Sequence, residues 1–314
     1  MQKSIKPFLL ISKPYGLTSS GLLNQIKYSF GKIKTGHTGT LDPIATGLLI
    51  VALGYGTRLI PFIDTNIKEY YIKIIFGIQT DTDDITGNII RRSTNSINAN
   101  DLKDAISNLI GEVEQYPPLY SAKKVSGKEM YKYARGNQQI PVIKPSSVKI
   151  LDVEIIGLKC DSAILRVVCS KGTYMRSIAR DLGIMLGTFG TIGAIARTKI
   201  GKFKIEDATT ISKIKNGDFE KGFISAEESL NLPALIIKNK RDFRNGLDIA
   251  LESSVKEGKF LSTDMAPFEE STGISDKIIA RGEDGEFLGI ALLKNNFLHP
   301  EVVINENNQI KRND

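Results

Sequence analysis

The sequence has no tryptophan, and its 314 residues contain two cysteines, two histidines and no apolar run near the ~20 residues that span a bilayer. Cys160 and Cys169 are too few for a disulfide framework, and with so little histidine no metal site is expected. The opening MQKSIKPFLLISKPYG lacks a small-residue cleavage site and turns quickly into Lys-Pro. No signal peptide is expected from it, and the expected compartment is cytoplasmic. Two familiar motifs each lack an essential part. GKIKTGHT, Gly31 to Thr38, has the glycine spacing of a phosphate-binding P-loop, but His37 stands where the lysine belongs. DTDDITG, Asp81 to Gly87, is not a calcium loop, because Ile85 occupies a ligand position and the turn glycine comes one residue late.

What is present is an excess of positive charge, +7 net, which suits a nucleic-acid partner or an anionic membrane surface. PFLLISKPYG reads as a strand ending in a turn, and Thr18 or Ser19 can cap the helix that follows. ATGLLIVALG reads as a buried strand or short helix. EYYIKIIFG, SSVKILDVEIIGL and SAILRVVCS are strand-like. Asn100 is placed to cap a helix with Leu102, Ala105, Ile106 and Leu109 on one face, and Thr173 to cap YMRSIARDLGIMLG. The pattern loosens over residues 212–233, which read as a linker between separate cores. Beyond it come short strands with a hairpin signal at Glu283-Asp284-Gly285. The expected class is α+β with a small β-rich C-terminal module.

Chemistry is most plausibly sought in KTGHTGTLDP, Lys34 to Pro43. Gly36 and Gly39 permit backbone shapes that side chains forbid, and Pro43 biases Asp42 away from helical geometry. Asp42 on such a loop is a candidate acid, although Asp-Pro is also ordinary helix-capping and turn chemistry. Arg176, expected in the first turn of a helix, sits where the dipole disfavours a cation. That position calls for an anionic partner or for full solvation. His37 alone reads more readily as a structural loop residue. Tyr70 and Tyr71 occupy one strand, so one faces inward and the other outward. Residues 116–135 interleave Tyr116, Tyr120, Tyr131 and Tyr133 with Lys123, Lys124, Lys128, Lys132 and Arg135. This mixture suits base stacking beside phosphate neutralisation, or a solvated amphipathic helix.

Taken in order, ISKPYGLTS, GHTGTLDPIATGLL, KEYYIKIIFGIQTDTDDITG, QYPPLYSAKKVSGKEMYKYAR, CSKGTYMRSIARDLG and ARTKIGKFKIEDA resemble the TruB family of tRNA pseudouridine synthases, from about residue 10 to about residue 208. FRNGLDI and DGEFLGIALLKNN are more weakly similar to the RNA-binding PUA module. The resemblance implies an α+β fold with a mixed, largely antiparallel central sheet and flanking helices. It implies a catalytic domain over 1–232, with a basic RNA-gripping insertion at about 116–145, and a PUA-like module over 233–314. Matched position by position, the catalytic aspartate is Asp42. The substrate-binding residues are His37, Tyr70, Arg176 and Ile195, with Lys123, Lys124 and Lys128 as RNA backbone contacts. Ala196 departs from the family, whose members often carry a second arginine there. The implied reaction is isomerisation of uridine to pseudouridine at position 55 in the tRNA T loop. It proceeds by base flipping and needs no cofactor and no metal. Asp42 either adds to the nucleoside or assists elimination at the sugar. The expected partner is the tRNA T arm, bound by a monomer with no guide RNA and no membrane. A guide-dependent relative and a non-catalytic RNA chaperone remain as other readings.

Overall fold

The computed structural model describes residues 6–121, 123–125, 127–130, 133, 136, 143–218, 221–250, 277–295 and 297–305. The chain opens with strand β1 (Phe8–Lys13), helix α1 (Ser19–Ser29), strand β2 (Thr35–His37) and strand β3 (Ala45–Leu53). β1 and β3 pair antiparallel and are covered on both faces, which explains their unbroken apolar runs. On one face Leu9, Ile11, Leu49 and Val51 pack with Leu22 and Ile26 of α1. On the other, Phe8, Leu10, Leu48 and Ile50 join a different cluster. Thr18 caps α1 through Gly21 N, as one of the two expected candidates.

Next come β4 (Ile67–Phe76), the hairpin of β5 (Ile78–Thr80) and β6 (Ile89–Arg92), α2 (Ala99–Leu109) and β7 (Gly111–Gln115). β8 (Ser146–Lys159), β9 (Ser162–Ser170), α3 (Met175–Met185) and β10 (Gly190–Ile200) follow. The main sheet has eleven strands, and its central path runs Thr209–Thr210, β1, β3, β10, β4, β9, β8, β7. Along that path β10 is parallel to β3 and Thr209–Thr210 is parallel to β1, while the other pairs are antiparallel. The expected mixed, largely antiparallel sheet is what the chain builds. β4 alternates cleanly, burying Lys68, Tyr70, Ile72, Ile74 and Phe76. The apolar members of that face meet Leu102, Ala105 and Ile106 of α2 and Ile178 and Leu182 of α3.

Two helix starts differ from expectation by a residue or two. Asn98, not Asn100, caps α2, accepting from Asn100 N and Asp101 N. Thr173 does not cap α3, because its hydroxyl donates backwards to Ser170 O. Gln115 replaces it from a distant strand, its Oε1 accepting from Tyr174 N at 2.7 Å. The first turn of α3 is thus closed by a tertiary contact that no local pattern encodes.

A second, five-stranded sheet contains β11 (Ala234–Ile237), β12 (Lys277–Gly282), β13 (Phe287–Lys294) and β14 (Phe297–Val303), in that order, with Ile249–Ala250 beyond β14. β12 and β13 form the expected hairpin around Glu283-Asp284-Gly285, where Gly285 takes φ +81°.

The segment 212–233 is not a bare linker, and although the C-terminal sheet has a core of its own around Ile237, Phe243, Ile278 and Leu288, it shares a second one with the preceding chain. Within 212–233, Phe223–Ile224 adds to β1, and Ala226–Ser229 forms a helix with a Ser225–Glu228 capping box. The second cluster continues from Phe8, Leu10, Leu59 and Ile63 into Ile279, Ile290, Val302 and Ile304. Polar and aromatic contacts reinforce this junction. Arg58 Nη1 donates to Val303 O at 2.7 Å, Tyr55 stacks on Phe287, and Lys277 lies over the Phe62 ring. Polar composition marked this segment as a linker, but its few apolar residues are enough to lock it down. No helix among the described residues is long and apolar enough to cross a membrane.

Candidate active site

The loop between β2 and β3 is held by buried groups on both sides of Asp42. Ser19 Oγ accepts from Leu41 N at 2.9 Å and donates to Leu41 O at 3.1 Å. Lys13, fully buried, donates its Nζ to Pro14 O, Leu17 O and Pro43 O. Arg197, 1% exposed, donates Nε to Leu48 O at 2.8 Å and Nη2 to Gly39 O at 3.1 Å. β3 can approach β10 this closely because Gly47 has no side chain. A Cβ there would lie 2.2 Å from Arg197 O, and its φ of +103° also favours glycine. Asp42 is therefore presented by a braced loop and not by a flexible one.

Arg176 projects from the first turn of α3 onto Asp42. Its Nη2 donates to Oδ1 at 3.0 Å, and its Nε lies 2.9 Å from Oδ2 without hydrogen-bond alignment. The same guanidinium donates to Thr82 O and Tyr120 O. Three segments distant in sequence thus converge on one side chain that is 3% exposed. The anionic partner expected from the unfavourable dipole position is Asp42 itself. The acidic loop after β5 supports the Arg176 and Arg180 side chains. Asp84 lies 3.9 Å from Arg176 Nη1 and accepts from Thr82 Oγ1 and Thr86 N. Asp83 pairs with Arg180, and burial pushes its carboxyl up against the pull of Arg180 and Arg176.

Asp42 opens onto a cavity of 360 Å³ that Tyr70, Ile195, Lys68 and Lys123 also line. Strand register produces this grouping: Ile195 lies opposite Ala45 on β3 and Ile72 on β4, and Arg197 lies opposite Tyr70. Tyr70 is buried while Tyr71 is exposed, which resolves the choice that sequence left open. Burial pushes the Tyr70 phenol up, opposed by the charge of Arg197. Ala196 occupies the alternate position to Ile195 and Arg197, so its departure from the family lies on the other face of β10. His37 is not among the lining residues. Its Nδ1 accepts from Gly39 N at 3.2 Å, and burial, aided by Arg197, lowers its pKa.

Lys123 reaches the cavity but is tied back, donating to Ser146 Oγ at 2.6 Å and to Lys144 O. Lys124 and Lys128 lie in a two-residue β-hairpin, and their side chains fall outside the described residues, as do Tyr131, Lys132 and Arg135. Sequence reading missed Lys13, Ser19, Lys68 and Arg197. For Lys68 there was a signal: it is in phase with the inward residues Tyr70, Ile72 and Ile74.

The family model described as "TruB family pseudouridylate synthase (N terminal domain)" matches residues 27–175, the stretch that carries Asp42 and Tyr70 and stops one residue short of Arg176. A protein named tRNA pseudouridine synthase B from Ruegeria sp. is 34% identical over 97% of this chain and 97% of its own length. Its namesake from Wolbachia pipientis subsp. Culex pipiens is 43% identical over 67% of this chain, which spans 60% of that relative. Among solved structures, a chain from an H/ACA RNP bound to a substrate RNA containing 2'-deoxyuridine is similar in fold. Its TM-score is 0.66 at 19% identity, over 96% of this chain and 86% of that one. With a relative 34% identical over nearly the full length of both chains and the family model in agreement, the chain belongs to the TruB family of pseudouridylate synthases.

Proposed function

We propose that the protein isomerises uridine to pseudouridine at position 55 in the T loop of tRNA, with Asp42 as the catalytic residue. The observation that carries this reading is the Asp42–Arg176 pair at a cavity lined by Tyr70 and Ile195. A uridine inside a folded loop must be extruded before an enzyme can reach C1′, at a cost of a few kcal/mol. His37, neutral at physiological pH by its lowered pKa, would help hold the opened loop. Ile195 and Tyr70 would sandwich the flipped uracil. Arg176 would orient Asp42 and stabilise its charge.

In the reaction the N1–C1′ bond breaks, the uracil rotates and a C5–C1′ bond forms. C5 then loses its proton and N1 gains one, so the change is a net isomerisation. Tyr70 meets the base as a neutral phenol. If it accepts the C5 proton, the positive charge of Arg197 is what stabilises the phenolate. Asp42 acts either as nucleophile or by assisting elimination at the sugar.

On this reading the catalytic part spans residues 1–232. The C-terminal part, residues 233–314, adds contacts to the rest of the tRNA, in the manner of a PUA module. The protein works as a cytoplasmic monomer on the T arm without a guide RNA or cofactor. The test is incubation of the pure protein with an unmodified tRNA transcript, followed by mapping of pseudouridine. Pseudouridine at position 55 without any added RNA supports the reading. Turnover that requires a second RNA would move the protein to a guide-dependent role, and refolding of tRNA without pseudouridine would make it a chaperone.

A further inference from the structure

Lys68 is 9% exposed and lies on β4 two residues before Tyr70, on the same inward face. It borders the same cavity as Asp42, Thr40 and Tyr70. Its ammonium has no hydrogen-bond partner among the described residues, and no carboxylate is among the charges that act on it. Burial pushes its pKa down to about 8, with Arg197 and Lys171 pushing the same way and Cys169 opposing them. At neutral pH it still carries its charge.

A buried ammonium is costly unless it is paired. The contrast with Lys13 is direct, because Lys13 has three carbonyl acceptors and Lys68 has none of its own. Arg197 has already committed donors to Leu48 O and Gly39 O. Asp42 is engaged by Arg176. The charge on Lys68 faces the open cavity and is free to pair with an anion that enters with the substrate. Its place also fits: a Cβ added to Gly39 would come 3.2 Å from Nζ, so the ammonium lies against the loop that carries Asp42.

The target nucleoside is neutral, and the anion that enters with it is phosphate. We propose that Lys68 binds a phosphate flanking the flipped uridine and thereby positions C1′ over Asp42. This rests on the uridine-isomerising reading above. Lys68 is then a substrate-positioning residue whose charge faces the open cavity in the free protein and is neutralised when the RNA binds.

The test uses the full chain in an Asp42→Asn background, so that affinity is read without turnover. The probes are a T-arm stem-loop and the same stem closed by an unrelated tetraloop. Adding Lys68→Met should weaken stem-loop affinity by about tenfold or more, the worth of a charge-assisted hydrogen bond. It should also reduce the slope of log affinity against log salt by about 0.7, the value of one single-strand phosphate contact. Binding of the tetraloop hairpin should not change, Lys68→Arg should keep the slope, and the melting temperature should not fall. An unchanged slope or an equal loss on both hairpins would each overturn the proposal, as would lost turnover at unchanged affinity when Lys68→Met is made alone in the otherwise wild-type chain. Should Lys68→Met fail to fold, the otherwise wild-type protein is tested with methylphosphonate at each flanking linkage, against matched 2′-O-methyl diesters. A loss at neither linkage overturns the proposal as well. Failure of the parent reading is separate, since it appears as absence of pseudouridine from wild-type protein on tRNA.

Discussion

Cutting the chain after residue 232 tests the shared core. Composition alone predicts a folded catalytic fragment, yet the cluster containing Phe8, Leu10, Leu48, Ile50 and Leu59 runs into Ile279, Ile290, Val302 and Ile304. Removing those four side chains wets an equivalent apolar area on the catalytic side. Fully exposing one such side chain costs ~1.5–3 kcal/mol, so half-exposing four costs on the order of 3–6 kcal/mol. That is a large share of the ~5–15 kcal/mol that holds a typical domain together. At ~2–4 °C per kcal/mol for a chain of this size, the melting temperature should fall by on the order of 10 °C. The fragment should aggregate or lose stem-loop activity on mild heating, while retaining single-turnover activity in the cold. The assays are thermal unfolding by circular dichroism and single-turnover pseudouridine formation on a T-arm stem-loop. A fragment that melts within 2 °C of the full chain would show that the cluster contributes nothing and that the cores are independent, against the ~10 °C expected here.

Asp42→Asn should bind tRNA normally and lose multiple turnover, because the amide is nearly isosteric but supplies neither nucleophile nor base; sustained turnover by the pure variant would refute the assignment. Asp81, an acidic-loop residue that accepts from Asn88, is the suitable control, whereas Asp83 and Asp84 are buried beside Arg180 and Arg176 and should cost stability when replaced. Arg176→Lys should slow single turnover by ~100-fold, about 2.7 kcal/mol, since one ammonium cannot serve Asp42, Thr82 O and Tyr120 O together. A rate within threefold of wild type would mean that this fork is dispensable, since threefold is under about 1 kcal/mol. Tyr70→Phe should lose more activity than Tyr71→Phe, because only Tyr70 is buried at the cavity, and the reverse order in a single-turnover assay would contradict the register. Replacing Lys123, Lys124 and Lys128 together by Ala should flatten the salt dependence of tRNA affinity, and an unchanged slope would mark this segment as a solvated face.

Local pattern was enough to read β1, β4, β8 and β9 as strands, because period-two alternation and apolar runs report which faces are buried, but it left β3 open between strand and helix and did not single out β10. It was enough to mark the loop around Asp42, since Gly39, Asp42 and Pro43 restrict the backbone wherever they occur. Joint motifs were enough to name the family. What the sequence did not yield was every feature that depends on contacts between distant segments. Arg176 meets Asp42 across 134 positions, and Gln115 caps the helix that carries it from 59 positions away. Which of Tyr70 and Tyr71 faces the cavity was set by the register of β4 against β10. The doubly buried runs of β1 and β3 implied a covering on each face, but not that the C-terminal sheet supplies one of them. Lys68 is the sharpest case. Its inward phase was legible, but whether an inward lysine is paired depends on what the tertiary fold places beside it, and among the described residues the fold places no acceptor there.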